Sequence, residues 1–108
     1  MKSYEDSLLL DFYGNLLTDK TRLTLDMYLN DDLSLTEIAE EEEISRQGVH
    51  DTVKRGLKQL NGYEDKLGLV KRFLEQREAV KEAIDLIDKK EYLDARKVLS
   101  KLSEEIEE

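Results

Sequence analysis

The sequence of 108 residues has no cysteine, no proline and no tryptophan, and it has a single histidine. Without cysteine there is no disulfide framework, no thiolate metal site and no thiol nucleophile. The histidine, His50, has Arg46, Gln47, Val53 and Lys54 as its helical neighbours, which gives it neither a metal-ligand companion nor a catalytic partner. There is no glycine-rich phosphate loop and no nucleophile elbow. Carboxylate pairs such as Glu40 and Glu43 arise in acidic helices by composition alone. No activated group is on offer, so a non-enzyme without metal or cofactor is expected. No apolar run approaches the ~20 residues that span a bilayer. The opening MKSYEDSLLLDFYG also lacks the long apolar centre and small-residue cleavage site of a signal peptide. The expectation is a cytoplasmic protein with no membrane insertion.

What is present is charge, at 40% of residues, with 26 acidic against 17 basic and a net charge of −9. Such a balance repels a phosphate backbone on average and favours basic protein partners. The distribution is uneven. Residues 31–44 carry a net −7 and no basic residue, whereas residues 45–60 carry +3 from Arg46, Lys54, Arg55 and Lys58 against Asp51. A short basic segment therefore follows directly on the most acidic one.

The absence of proline and the scarcity of glycine favour helices, and no strand pattern interrupts them. Leu9, Phe12, Tyr13, Leu16 and Leu17 have the spacing of one helix face over residues about 5–17. Thr18 can cap a second helix, whose buried stripe is Leu25, Tyr28 and Leu29. Ser34-Leu35-Thr36-Glu37 is a capping box, with Leu33 and Ile38 placed as its hydrophobic staple. It opens a short helix over about 35–42. Ser45 repeats the device, with Ile44 and Val49 as staple. Two capped helices separated by Glu43, Ile44 and Ser45 make a helix-turn-helix. The second helix keeps its apolar spacing through Val49, Val53, Leu57, Leu60, Tyr63, Leu67, Val70 and Leu74. That phase predicts one helix to about residue 77, running through the potential stop at Asn61-Gly62. Val80, Ala83, Ile84 and Ile87 predict another helix, Lys89-Lys90 a turn, and Tyr92, Ala95, Leu99, Leu102 and Ile106 a last helix closing a hairpin. The fold class is all-α, with a helix-turn-helix domain over 1–60 and a helical extension over 61–108 for oligomerisation or partner binding.

Two charged clusters are candidate sites. The outward face of the second helix carries Arg46, Gln47, His50, Asp51, Lys54, Arg55 and Lys58. Arg46, Gln47 and His50 have the positions of base-reading residues, and Gly48 would allow close approach. Lys54, Arg55 and Lys58 have those of phosphate contacts. Four cations make a modest footprint, and binding would be strongly salt-sensitive. The acidic cluster is Asp31, Asp32, Glu37, Glu40, Glu41, Glu42 and Glu43, a candidate surface for a basic partner. Its last four carboxylates oppose the helix macrodipole, so arginines, lysines or a partner must compensate. The residues alone leave a duplex-DNA reader and a non-DNA module equally open. The stripe of Tyr63, Leu67, Val70 and Leu74 is the candidate oligomer interface, with a dimer favoured; the returning hairpin is the other element able to cover it.

The segments LLTDK (16–20), DDLSLTEIAEE (31–41), ISRQGVHDTVKR (44–55) and YEDKL (63–67), taken in order, resemble the YlxM family. These are small bacterial proteins related in fold to the DNA-binding region 4 of sigma factors, with genes beside those of the signal recognition particle GTPase. The resemblance implies a sigma-region-4-like helix-turn-helix bundle. It also implies a regulatory accessory role in signal recognition particle-dependent protein targeting, through the GTPase, the particle's RNA or both. The competing expectation is a DNA-binding transcriptional regulator acting as a dimer. In this sequence Glu43 occupies the turn position where sigma-type motifs usually place glycine.

Overall fold

A computed structural model describes residues 3–107. The first four helices each start where a side chain satisfies an amide left open by the first turn. Ser3 Oγ accepts from the Asp6 amide at 3.1 Å and opens α1 (Tyr4–Tyr13). Thr18 Oγ1 accepts from the Thr21 amide at 3.3 Å and opens α2 (Asp19–Leu29). The capping box at α3 (Leu35–Glu42) is complete: the Glu37 amide donates to Ser34 Oγ at 3.1 Å, and the Ser34 amide to Glu37 Oε1 at 3.0 Å. Ser45 Oγ accepts from the Gly48 amide at 3.0 Å and opens α4 (Arg46–Leu67). Helices α5 (Leu69–Asp88) and α6 (Tyr92–Glu107) follow. No strand occurs among the described residues, and the fold is all-α with the expected helix-turn-helix in α3–α4. No helix among them is long and apolar enough to cross a membrane.

Two boundaries differ from the spacing-based expectation. The first helix ends at Tyr13, and Gly14–Leu16 forms a 3-10 turn. Tighter winding there rotates the following side chains away from the α-helical face. Leu16 is exposed as a result; within α1 itself Phe12 is exposed too, and Leu8 and Leu10 join Leu9, Tyr13 and Leu17 in the core. The second correction concerns the long helix. It does run through Asn61 and Gly62, as expected, but it stops at Leu67 rather than near residue 77. Gly68 takes φ +63°, a left-handed conformation that glycine adopts at little cost, and its amide donates to the Glu64 carbonyl at 2.8 Å. A new helix starts at the next residue, so residues 69–88, including Val80–Ile87, form one element.

The chain forms two compact units, one ending at Val70 and one beginning at Lys71. In the first, Tyr13, Thr24, Leu25, Ile38, Val49 and Leu60 are fully buried. Helix α4 is the shared wall, touching α1, α2 and α3. Its approach to α2 depends on Gly56, where an added Cβ would lie 2.7 Å from Leu25 Cδ1 and 3.0 Å from Thr21 Cγ2. The second unit is the expected helical hairpin. Lys90 (φ 63°) terminates α5, and the Glu91 amide donates to the Leu86 carbonyl at 2.8 Å, which closes the turn. Among its described residues only Ala83 and Ala95 are fully buried.

Candidate functional site on the helix-turn-helix

The turn between α3 and α4 forms without glycine. Glu43 itself takes the left-handed conformation (φ 58°, ψ 41°), and the Ile44 amide donates to the Ala39 carbonyl at 3.1 Å. A side chain in this region costs roughly 1–2 kcal/mol. The turn brings Ser45 into capping position, and α4 then holds Thr52, Val53, Gly56 and Leu60 against the bundle.

That burial turns the opposite side of α4 to solvent. Arg46, Gln47, His50, Lys54, Arg55 and Lys58 are all exposed. Gln47, His50, Asp51, Lys54 and Lys58 recur at three- and four-residue intervals, so they form one stripe of roughly 16 Å along the axis. Asp51 lies inside it. Gln47 Nε2 donates to Asp51 Oδ1 at 3.0 Å, and His50 Nδ1 is 3.6 Å from the same oxygen. The carboxylate thus holds Gln47, one of the candidate base-reading side chains, and lowers the positive potential of the stripe. Gly48 serves the cap rather than the outward face: an added Cβ would press on Ser45 Oγ at 3.1 Å.

The acidic cluster divides in a similar way. Glu40, Glu41 and Glu43 are exposed on α3 and its end, and Asp31 and Asp32 are exposed just before it. Glu37 commits one oxygen to the capping box. Glu42 turns inward, where the buried Thr24 hydroxyl donates to its Oε1 at 2.8 Å and its Oε2 is buried with no hydrogen-bond partner among the described residues. The two helices of one motif therefore present opposite charges, acidic on α3 and basic on α4. Among the described residues no group of three or more His, Cys, Asp or Glu side chains is placed to hold a metal ion.

The four residues of the expected oligomer stripe do not share one environment. Tyr63 packs its ring on Tyr13 with centroids 6.0 Å apart, and Val70 is buried. Leu74 is half-buried and Leu67 is exposed. What the spacing did not indicate is the hydrogen-bonded knot beside them. The Tyr13 hydroxyl donates to Glu64 Oε1 at 2.6 Å and accepts from the Leu69 amide at 3.1 Å. Glu64 Oε1 also accepts from the Val70 amide at 3.0 Å. Tyr13 and Glu64 thus satisfy the first open amides of α5, which otherwise lacks a capping side chain next to Gly68. Burial, and then the bond to Glu64, push the Tyr13 phenol above its ordinary pKa. The only local hint is that a tyrosine in an apolar stripe needs a partner for its hydroxyl.

Residues 1–104 match the model of a family described as "Putative helix-turn-helix protein, YlxM / p13 like", UPF0122. The chain belongs to the UPF0122 family. A UPF0122 protein of Acetivibrio thermocellus is 48% identical, over 99% of this chain and 95% of its own length. Others from Clostridium kluyveri (52% identical, 76% of this chain and 74% of the relative) and Desulforamulus reducens (46%, 76% and 70%) are similar over a shorter stretch. In this UPF0122 chain the helix-turn-helix of the family description is α3, the turn through Ser45, and the first part of α4.

Proposed function

We propose that this UPF0122 chain is a cytoplasmic accessory protein of signal recognition particle-dependent targeting that docks on the particle through α3 and α4. The observation that carries the reading is the opposite charge of the two helices in one motif. Exposed Glu40, Glu41 and Glu43, with Asp31 and Asp32, suit a basic protein surface such as one on the particle's GTPase. Exposed Lys54, Arg55 and Lys58 suit the phosphates of its RNA. A ribonucleoprotein offers both at once. The partner's identity rests on the resemblance of residues 16–67 to YlxM proteins. The regulatory step is the occupation of that basic surface, and with it the control of targeting or GTP turnover.

Reversing Glu40, Glu41 and Glu43 to lysine together tests the protein contact. The expected result is a loss of GTPase affinity of at least about tenfold, steeper at low salt. Unchanged affinity would sink this reading. Reversal of Lys54 and Lys58 to glutamate should instead weaken RNA binding and reduce its salt dependence.

A second reading, a dimeric transcriptional regulator, is favoured by one feature: Arg46, Gln47 and His50 are exposed at the start of a helix capped as a major-groove reader would be. The Gln47–Asp51 bond and the acidic α3 weigh against it, because both set carboxylates where a duplex would bring phosphates. Saturable, sequence-dependent binding to duplex DNA, lost in Gln47→Ala, would establish it instead.

A further inference from the structure

Within the second unit, Phe73, Val80, Ile84 and Ile87 recur at intervals that place them on one stripe of α5. They are large apolar residues left exposed, Ile84 at 54% and Ile87 at 44%. On α6, Tyr92, Leu99 and Ile106 recur every seven residues and are exposed as well. A groove of about 380 Å³ between the helices is lined by Phe73, Val80, Leu102 and Ile106 and edged by Arg77 and Lys81. The groove places both stripes on the same side of the hairpin. The opposite side is polar, with Glu75, Glu82, Lys101 and Glu105 around Ala79 and Val98.

A one-sided apolar hairpin is half of a layered structure, because such a face must be buried against another element. The unit beginning at Lys71 has no large side chain fully buried among its described residues. Helical units below about 40 residues rarely stand without oligomerisation, disulfides or metal. The order of charges says what covers the face. Along the flank of the α5 stripe run Arg77 and Lys81, then Asp85 and Asp88. Lys81 pairs with Glu78 at 3.8 Å and Asp85 with Lys89 at 3.0 Å, both exposed pairs that yield readily to better partners. A ligand of uniform charge would meet attraction along half of that flank and repulsion along the other. A second copy of α5, antiparallel about a two-fold axis near Val80 and Ile84, sets Arg77 and Lys81 against Asp88 and Asp85 of its mate, twice over.

We infer that the apolar face of α5 and α6 is a homodimer interface, in which two hairpins pack antiparallel across a two-fold axis as a four-helix bundle. The interface lies on Val80, Ile84, Ile87, Leu99 and Ile106. The surface is separate from the charged faces of α3 and α4, so its test does not depend on the targeting role.

The test is sedimentation equilibrium on the full chain from micromolar to several hundred micromolar. The expected mass rises with concentration to twice 12.6 kDa. Ile84→Asp, at a half-exposed position, should hold the mass at the single-chain value with the far-ultraviolet helical signal retained. Lys81→Glu and Asp85→Lys serve as variants that leave the core untouched. Each alone should weaken the dimer about tenfold, and an equimolar mixture should restore it, because the swapped charges then face each other. A single-chain mass at every concentration, a dimer indifferent to Ile84→Asp, or no recovery on mixing would each overturn the inference.

Discussion

The unit ending at Val70 and the hairpin after it are made from similar amphipathic helices, yet they bury their apolar residues very differently. In the first, α4 gathers three other helices, and Leu25, Ile38, Val49 and Leu60 are wholly enclosed. In the second, Ala83 and Ala95 are the residues buried among those described, while Val80, Ile84 and Leu99 remain open. A helical apolar stripe says that something will cover it. The number of elements within reach decides whether the chain covers it itself.

Substitutions sharpen that contrast, beginning with the enclosed core. Ile38→Ala in the first unit should cost about 2–5 kcal/mol in urea denaturation, whereas Ile84→Ala in the hairpin should leave the first unit's transition unmoved. Equal losses at the two sites would erase the distinction. Gly56→Ala should destabilise by about 1–3 kcal/mol, because its Cβ would overlap the fully buried Leu25 and press on Thr21. The same change at Gly62, where an added Cβ meets nothing within 4 Å, should stabilise by up to about 1 kcal/mol.

Tyr13→Phe removes the hydroxyl shared by Glu64 and Leu69 and should cost about 1–2 kcal/mol. It should also change the alkaline limb of stability. A phenol whose pKa is raised by folding contributes stability that is fully present below its unfolded value, near 10, and is lost as pH rises through the folded value. The wild-type chain should therefore lose stability above about pH 10 more steeply than Tyr13→Phe; parallel profiles would show that the phenol is not responsible. The smallest expected effect is at the turn. Glu43→Gly should stabilise by about 0.5–1 kcal/mol, by relieving a left-handed side chain and removing a carboxylate from a helix C-terminus.

The helix starts were legible in the sequence because capping is local: Thr18, Ser34 with Glu37, and Ser45 each act within three residues, and all three form the expected bonds. The exposed charge of α4 was legible for a related reason, since apolar spacing fixes which side faces the bundle. The break at Gly68 was not, because the three- and four-residue apolar spacing of the sequence continues across a residue at which the helix stops. Nor were the contacts of Gly56 with Thr21 and Leu25, or of Tyr13 with Glu64, which join residues far apart in the chain. Within the candidate site, composition counted Glu42 with its acidic neighbours, whereas packing turns it to Thr24.

The proposed docking of the acidic α3 and basic α4 on the targeting particle is open to direct measurement. The most direct measurement titrates labelled full-length protein with the signal recognition particle GTPase and, separately, with the particle's RNA. Random duplex DNA is titrated in parallel, all at physiological salt. Saturable binding to the GTPase, the RNA or both is expected, and none to the duplex. Binding to DNA alone would contradict it and leave the regulator reading in its place.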